Sequence, residues 1–392
     1  MVIILLIKNG QVFDAVHETP YVADLRLCDG KIAEIGPSLA ACDGEEIFDA
    51  TGLRVYPGLV EAHCHTGLTN DGFDMDSTDY KEGSDDTGAQ MRAIDGFNPH
   101  NRRLRAAILG GVTTICTGPG SGRVLTGTFA AVKTVGTCVD DMIVKNPVAM
   151  KASFGQDPKS GNKKLSTRMG IAATLRSVLF DTLDYMQKKE NAGDDVLKRP
   201  KYNMKLEAMI PVLKGELPLK VNVHRADDIC TAIRIAKEFD LKITLEHVSD
   251  GITAVNEMAR AGFPVAVGPL MNLAPKAEML NKSWETPGVL QRAGLKVSII
   301  SDAPNSPNEC LGMYAGFAVL HGMDPFAALQ AITINPAENI GVADRVGSLE
   351  VGKDADVIIT DGDIMDSCTT VLHVFIDGVQ VLRDGEYVTE EG

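Results

Sequence analysis

The chain opens and closes on short apolar runs broken by turn signals. Residues 2–7 are continuously apolar and run into Lys8, Asn9 and Gly10, a second run at 23–27 meets Asp29-Gly30, and a third covers 32–35. Asn-Gly and Asp-Gly between apolar segments predict antiparallel hairpins. The last fifty residues have the same texture, with runs at 357–359, 371–376 and 379–382 around the turn Asp377-Gly378. The two ends therefore predict one small, sandwich-like β-domain composed of 1–56 together with 345–392.

Over 57–344 the pattern changes to apolar runs followed by amphipathic stretches, which predicts βα repeats around a parallel sheet. The runs fall at 58–63, 112–117, 128–133, 147–152, 219–224, 242–247, 264–267 and 296–301. Eight such strands fit a closed (β/α)8 TIM barrel of the α/β class. The clearest helix follows Ser166, read as its N-cap, with Leu175, Val178, Leu179, Leu183 and Met186 at helical spacing.

Composition narrows the function without naming it. A chain of 392 residues that is 44% apolar can bury a large core. A formal charge of −15 argues against nucleic acid or an anionic membrane, both of which need a basic face, and leaves a small-molecule substrate, with a homo-oligomer open. The eight cysteines are scattered and form no CxxC pair, so neither a disulfide scaffold nor a thiolate metal site is suggested. The run at 2–7 lacks a basic flank and a cleavage site, and nothing reaches the roughly 18 to 20 apolar residues of a membrane span, so the expected location is cytoplasmic.

The chemistry is carried by strand ends. Pro57-Gly58-Leu59-Val60-Glu61-Ala62-His63-Cys64-His65 is an apolar strand ending in two histidines one residue apart, and side chains two apart on a strand point the same way. His224 closes Val221-Asn222-Val223, His247 closes Thr244-Leu245-Glu246, and Asp302 closes Ser298-Ile299-Ile300-Ser301. Four of the eight histidines and an aspartate at such positions point to a metal site, because barrel enzymes assemble their chemistry at the C-terminal strand ends. Imidazole and carboxylate ligands suit one or two divalent ions, zinc first, with Mn, Fe or Co as alternatives.

With these residues in place the sequence resembles the amidohydrolase superfamily along essentially its whole length. In that family a β-domain leads into a PG-hydrophobic-[DE]-x-HxH segment on the first barrel strand, and further ligands come from the fourth, fifth, sixth and eighth. Here the strand list puts His63 and His65 on the first, Lys151 on the fourth, His224 on the fifth, His247 on the sixth and Asp302 on the eighth. The segment from Val346-Gly347-Ser348 to Asp354-Ala355-Asp356-Val357 is similar to the family's return into the β-domain. Met150-Lys151-Ala152-Ser153-Phe154-Gly155, Ser166-Thr167-Arg168-Met169-Gly170 and His224-Arg225-Ala226-Asp227-Asp228-Ile229 resemble the imidazolonepropionase-related branch with its dipeptidase-like members. Glu61 stands where an Asp is more usual. The resemblance implies a carboxylated Lys151 bridging two ions, as in the dipeptidase-like relatives.

The implied reaction is hydrolysis of a C–N (amide) bond, in a linear N-acyl amino acid or dipeptide or in a cyclic amide, the ion lowering the pKa of bound water toward about 7. Asp302 is the expected general base and acid. Arg225 is read as a bidentate clamp on a substrate carboxylate, the other reading being an ion pair with Asp227 or Asp228. The stretch Thr117-Gly118-Pro119-Gly120-Ser121-Gly122-Arg123 either wraps substrate or is a plain turn, and Trp284 either lines the mouth or packs. A mononuclear heterocycle deaminase and a non-catalytic barrel scaffold are the alternatives.

Overall fold

The computed structural model describes residues 4–69, 79–82, 87–161 and 165–388. Their strands form two sheets of nine and eight strands, with helices packed around the second. The N-terminal run is a strand, Ile4–Val12, of which Val2 and Ile3 lie outside the described residues.

The nine-stranded sheet joins the two ends of the chain. Arg54–Pro57 pairs antiparallel with Val357–Thr360, Tyr56 facing Ile358, so the N-terminal strands continue into the C-terminal hairpins as one sheet. Leu25, Leu27, Ile32, Val55, Val357, Ile359 and Phe375 pack in its core. One residue after Pro57, the chain enters the first strand of the other sheet.

That second sheet is a nearly closed barrel of Leu59–Cys64, Val112–Thr117, Leu125–Lys133, Ile143–Ser153, Leu219–Val223, Ile243–His247, Val265–Val267 and Val297–Ile299, each beside the next. Each overlaps one predicted run. The expected uniform (β/α)8 pattern fails at the third strand, which pairs antiparallel with both neighbours. The connection from Thr117 to Leu125 is too short for a crossover helix, because parallel neighbours need a dozen or more linking residues. The third strand also begins three residues earlier than its apolar run suggests, and the fourth extends back to Ile143.

Between the eighth and first strands no ladder forms, and the seam is closed by other groups. Val60 N–H donates to Ile332 O and Ile299 N–H to Ala331 O, while His65 N–H donates to Ala303 O at 2.7 Å. Midway, the buried Glu61 carboxylate accepts from His63 N–H at 2.9 Å and Ser301 N–H at 2.8 Å. The acid thus substitutes for a pair of backbone partners across the gap.

The helix expected after Ser166 is Arg168–Ala192, but its cap is Thr167, whose hydroxyl accepts from Gly170 N–H. Its buried face includes Ile171, Leu175, Leu179 and Tyr185, whereas Leu183 is exposed. Among the described residues no helix is long and apolar enough to cross a membrane.

The two sheets are tied by a buried charge cluster. Lys133, the last residue of the third barrel strand, donates to both Asp356 oxygens at 2.8 and 2.7 Å and lies 3.1 Å from Asp354 and 3.2 Å from Asp377. Burial opposes its charge, and the three acids outweigh that effect and hold its pKa above the usual lysine range. Lys133→Met would leave the Asp356 and Asp377 carboxylates facing one another without their cation, Asp354 alone keeping Lys31 and Arg345. We expect it to lower stability by roughly 3–5 kcal/mol in denaturant titration; a loss under about 1 kcal/mol would show that the cluster does not secure the junction.

Candidate metal centre

The histidines sit where strands end and the backbone turns sharply. His63 is in the first strand, His65 one residue past it, His224 one past the fifth, and His247 is the last residue of the sixth. His247, Val248 and Asp302 have φ of 74°, 38° and 52°. Left-handed backbone at non-glycine residues costs on the order of 1–3 kcal/mol each and persists where the surroundings over-determine it. Here it aims side chains that a regular strand would direct elsewhere.

Each imidazole is oriented through Nδ1. His63 Nδ1 meets Glu246 Oε2 at 2.8 Å, His65 Nδ1 the Gly118 carbonyl at 2.6 Å, His247 Nδ1 the Gly268 carbonyl at 2.7 Å, and His224 Nδ1 the Ser249 hydroxyl at 2.9 Å. The first three partners only accept, so Nδ1 carries the proton and Nε2 keeps its lone pair. Burial pushes His63 and His247 well below the ordinary imidazole range, and His224 to about 3, with Lys151 adding to the effect on all three. Neutral imidazoles tied back through Nδ1 are the form that ligates metals.

Asp302 completes the cluster. Its Oδ1 is 3.4 Å from His65 Nε2, and Asn305 Nδ2 donates to its Oδ2 at 2.9 Å. Burial raises the Asp302 carboxyl, and the facing His247 and His65 together with the Lys151 ammonium outweigh it, so it stays an anion. With Nδ1 of His65 on the Gly118 carbonyl, its Nε2 faces a carboxylate oxygen, a pair of atoms that a cation bound between them would hold together. One ligating atom each from His63, His247 and Asp302 lies within 4.8 Å of the others, a span that a transition ion with ligands about 2.0–2.2 Å away can bridge. The donor set therefore fits a divalent ion.

Lys151, on the fourth strand, has no solvent exposure, and its Nζ donates to His63 Nε2 at 2.9 Å. Desolvation pushes its pKa down to about 8, with Asp302 and Glu246 working against the fall. The structure thus brings His63, His65, Lys151, His224, His247 and Asp302 together at one end of the barrel.

Arg225 is the exception. It forms a bidentate ion pair with Asp227, at 2.9 and 3.0 Å, and faces a separate cleft beside Asp250 and Asn281. Of its two sequence readings, the structure shows the ion pair. The cavity over the histidines, about 370 Å³, is instead lined by Tyr80, Ser121, Asp157, Asn222 and Lys276. Ser121 and Gly122 bring the glycine-rich stretch to this cavity, while Trp284 packs on Phe317.

Sequence reasoning missed Glu246 and Lys220. Lys220 Nζ donates to Glu246 Oε1 and to Asn339 Oδ1, both at 3.0 Å. A signal existed: single charged residues inside apolar strands, as in Leu219-Lys220-Val221, must be paired if buried.

The chain is similar to several known proteins. The sequence model described as the amidohydrolase family matches residues 272–381. The crystal structure of an amidohydrolase from Thermotoga maritima MSB8 is 35% identical, covers 97% of this chain and all of that one, and superposes with a TM-score of 0.93. Amidohydrolase tasK of Hapsidospora irregularis is 25% identical over 93% of this chain, which spans 40% of that protein. Imidazolonepropionase of Streptococcus pyogenes serotype M49 (strain NZ131) is 23% identical over 62% of this chain and 65% of its own length.

Glu246→Gln keeps the shape but removes the charge that polarises His63. Metal affinity, followed by competition with a chelator, should fall roughly 10- to 100-fold; unchanged affinity would mean that Glu246 serves only to neutralise Lys220.

Proposed function

This chain belongs to the amidohydrolase family, and from that premise we propose that it hydrolyses a C–N (amide) bond of a small molecule, a linear N-acyl amino acid or dipeptide or a cyclic amide. The observation that carries the reading is the convergence of four Nδ1-anchored histidines with Asp302 and the buried Lys151 at one end of the barrel, where His65, His224, His247 and Asp302 line the cavity. His63, His65, His224, His247, Asp302 and Lys151 would hold one or two divalent ions, zinc first, which supply an acidified water and a Lewis acid for the substrate carbonyl.

The chain's own residues supply the rest. Asp302, ionised and within reach of His65, accepts a proton from the attacking water at a carboxylate oxygen and passes it to the leaving nitrogen. Lys151 favours the amide reading over a mononuclear deaminase. Its depressed pKa leaves part of it as free amine, which adds to CO2 to form a carbamate with release of one proton, placing an anion among the ligands where the protonated lysine would place a cation. A cavity of about 370 Å³ suits a small molecule rather than a polymer.

Two further readings complete the proposal. Residues 1–56 with 345–392 form a sandwich-like companion domain to a barrel of 57–344, supported by the separate core around Leu25, Val357 and Phe375. A cytoplasmic location is supported by the exposed thiols of Cys42, Cys138 and Cys368, which suit a reducing compartment.

Purified, unchelated protein should carry one to two equivalents of zinc or a first-row transition ion by elemental analysis, and His63→Ala should lose both metal and activity. Less than a tenth of an equivalent in active protein would end the reading. Asp302→Asn should lower kcat by about 10² to 10⁴ with the fold intact by circular dichroism. Activity within a few-fold of the parent would place the proton transfer elsewhere. Lys151→Ala should halve the metal content and recover part of its activity with added short carboxylates. A full complement of metal in that variant would remove Lys151 from the ligand set.

A further inference from the structure

A second cavity, of about 330 Å³, adjoins the one over the histidines, and Tyr80, Lys81, Glu82 and Gly122 line both. Tyr80 is a fixed part of the shared wall: its ring stacks on His65 at 4.6 Å, and its carbonyl accepts from Gly120 N–H at 2.8 Å. Gly120 is bare because a Cβ there would come within 2.7 Å of the Tyr80 ring. Gly122 is different. Its backbone is not left-handed, and a Cβ there would meet nothing within 4 Å among the described residues. Neither strain nor packing asks for glycine at this point, and its lack of a side chain keeps free the space that the two cavities share.

The chemistry of the second cavity is unlike that of the first. Leu68, Met91, Ala93 and Pro119 line it, and the exposed Arg92 and Asp95 at its edge are spent on each other at 3.0 and 2.8 Å. Backbone bonds from Gly88 N–H to Leu125 O at 2.8 Å and from Thr128 N–H to Met91 O at 2.9 Å tie this lining to the third barrel strand. The first cavity instead presents histidines, Asp302, Asn222 and Lys276. An apolar hollow beside a polar reaction centre suits the unreactive, apolar part of a substrate.

Resting on the amide reading, we propose that the second cavity holds the acyl chain of a linear N-acyl amino acid, and that Gly122 is the specificity-determining residue that admits it. Of the two arms of such a substrate, one is apolar and the other ends in a carboxylate. Only the apolar arm gains by leaving water for Leu68, Met91 and Pro119, while the carboxylate stays with the polar groups of the first cavity. A chain of several carbons uses this hollow and an acetyl group does not. Small cyclic amides have no arm to place there.

The test compares N-hexanoyl and N-acetyl forms of the same amino acid on the metal-loaded enzyme. Each methylene buried is worth about fourfold, so the longer chain should be favoured at least about 30-fold in kcat/KM. Gly122→Val should cut that ratio to below about threefold, and Gly122→Ala, the milder change should the first fail to fold, should bring it to an intermediate value. Each ratio is taken within one protein, so a general loss of activity cancels. A parent that does not favour the longer chain overturns the proposal, and so does a ratio that Gly122→Val leaves unchanged. If neither compound is hydrolysed, calorimetry with hexanamide separates the two claims. Binding that Gly122→Val weakens at least about tenfold upholds the subsite while hydrolysis of N-acyl amino acids falls. No binding, or binding that the substitution leaves alone, removes the subsite.

Discussion

The Glu246 carboxylate, with no solvent exposure, must satisfy three donors at once: His63 Nδ1 at 2.8 Å, Lys220 Nζ at 3.0 Å and the Thr244 hydroxyl. A buried anion is tolerated only when its partners compensate for lost hydration, and here each partner depends on it in return. Lys220, also without solvent exposure, rests on this carboxylate and on Asn339. His63 takes the tautomer that presents Nε2 to Lys151 because its other nitrogen donates to an anion. One acid thereby sets the charge balance of the barrel interior and the orientation of the first imidazole.

Departures from a regular barrel concentrate around that network. The first and eighth strands, which carry or lead into His63, His65 and Asp302, are joined by the Glu61 side chain instead of a ladder. Burial pushes Glu61 up to about 7, which is tolerable because both its oxygens accept backbone N–H groups. Leaving the strands unladdered frees their ends to turn, and Asp302 uses that freedom by adopting its left-handed backbone. Similar strain at His247 and Val248 ends the sixth strand. The barrel gives up regular pairing where ligands must converge from several directions.

What the sequence made legible follows from the same physics. Apolar runs located all eight barrel strands, because burial selects continuous hydrophobic stretches whichever way a strand points. Direction was not legible: the run at 128–133 reads the same forwards or backwards, and only the short link after Thr117 betrays the reversal. Strand-end histidines were legible because residue type and position coincide. Asp157 and Lys276 were not, since they reach the cavity from a short helix and a loop with no periodicity to mark them. Which of its two readings Arg225 takes was not legible for a related reason. Adjacency to His224 in sequence placed it near the site, but the backbone turns into the helix Ala226–Glu238 immediately after it, and the side chain folds onto Asp227.

The reversed third strand accounts for how the terminal sheet and the cavity become parts of one rigid unit. Running against its neighbours, it begins beside the ligands, with Gly127 opposite Lys151, and ends at Lys133 among the acids that lead into the terminal sheet. Midway it supplies Phe129, whose ring stands edge-on to His63 at 5.0 Å and lies 5.5 Å from Lys151 Nζ. Gly118 on the neighbouring connection has no Cβ because one would come within 2.4 Å of that ring, and the same Gly118 offers its carbonyl to His65. The apolar ring contributes to the desolvation that depresses the Lys151 pKa, and the glycine beside it lets the backbone come close enough to anchor a second histidine. A parallel strand in this place would enter from the opposite end and would need a crossover that the short link after Thr117 cannot provide. The hairpin therefore joins, in one stiff element, the packing that tunes Lys151 to the ion cluster that fixes the barrel on its companion sheet.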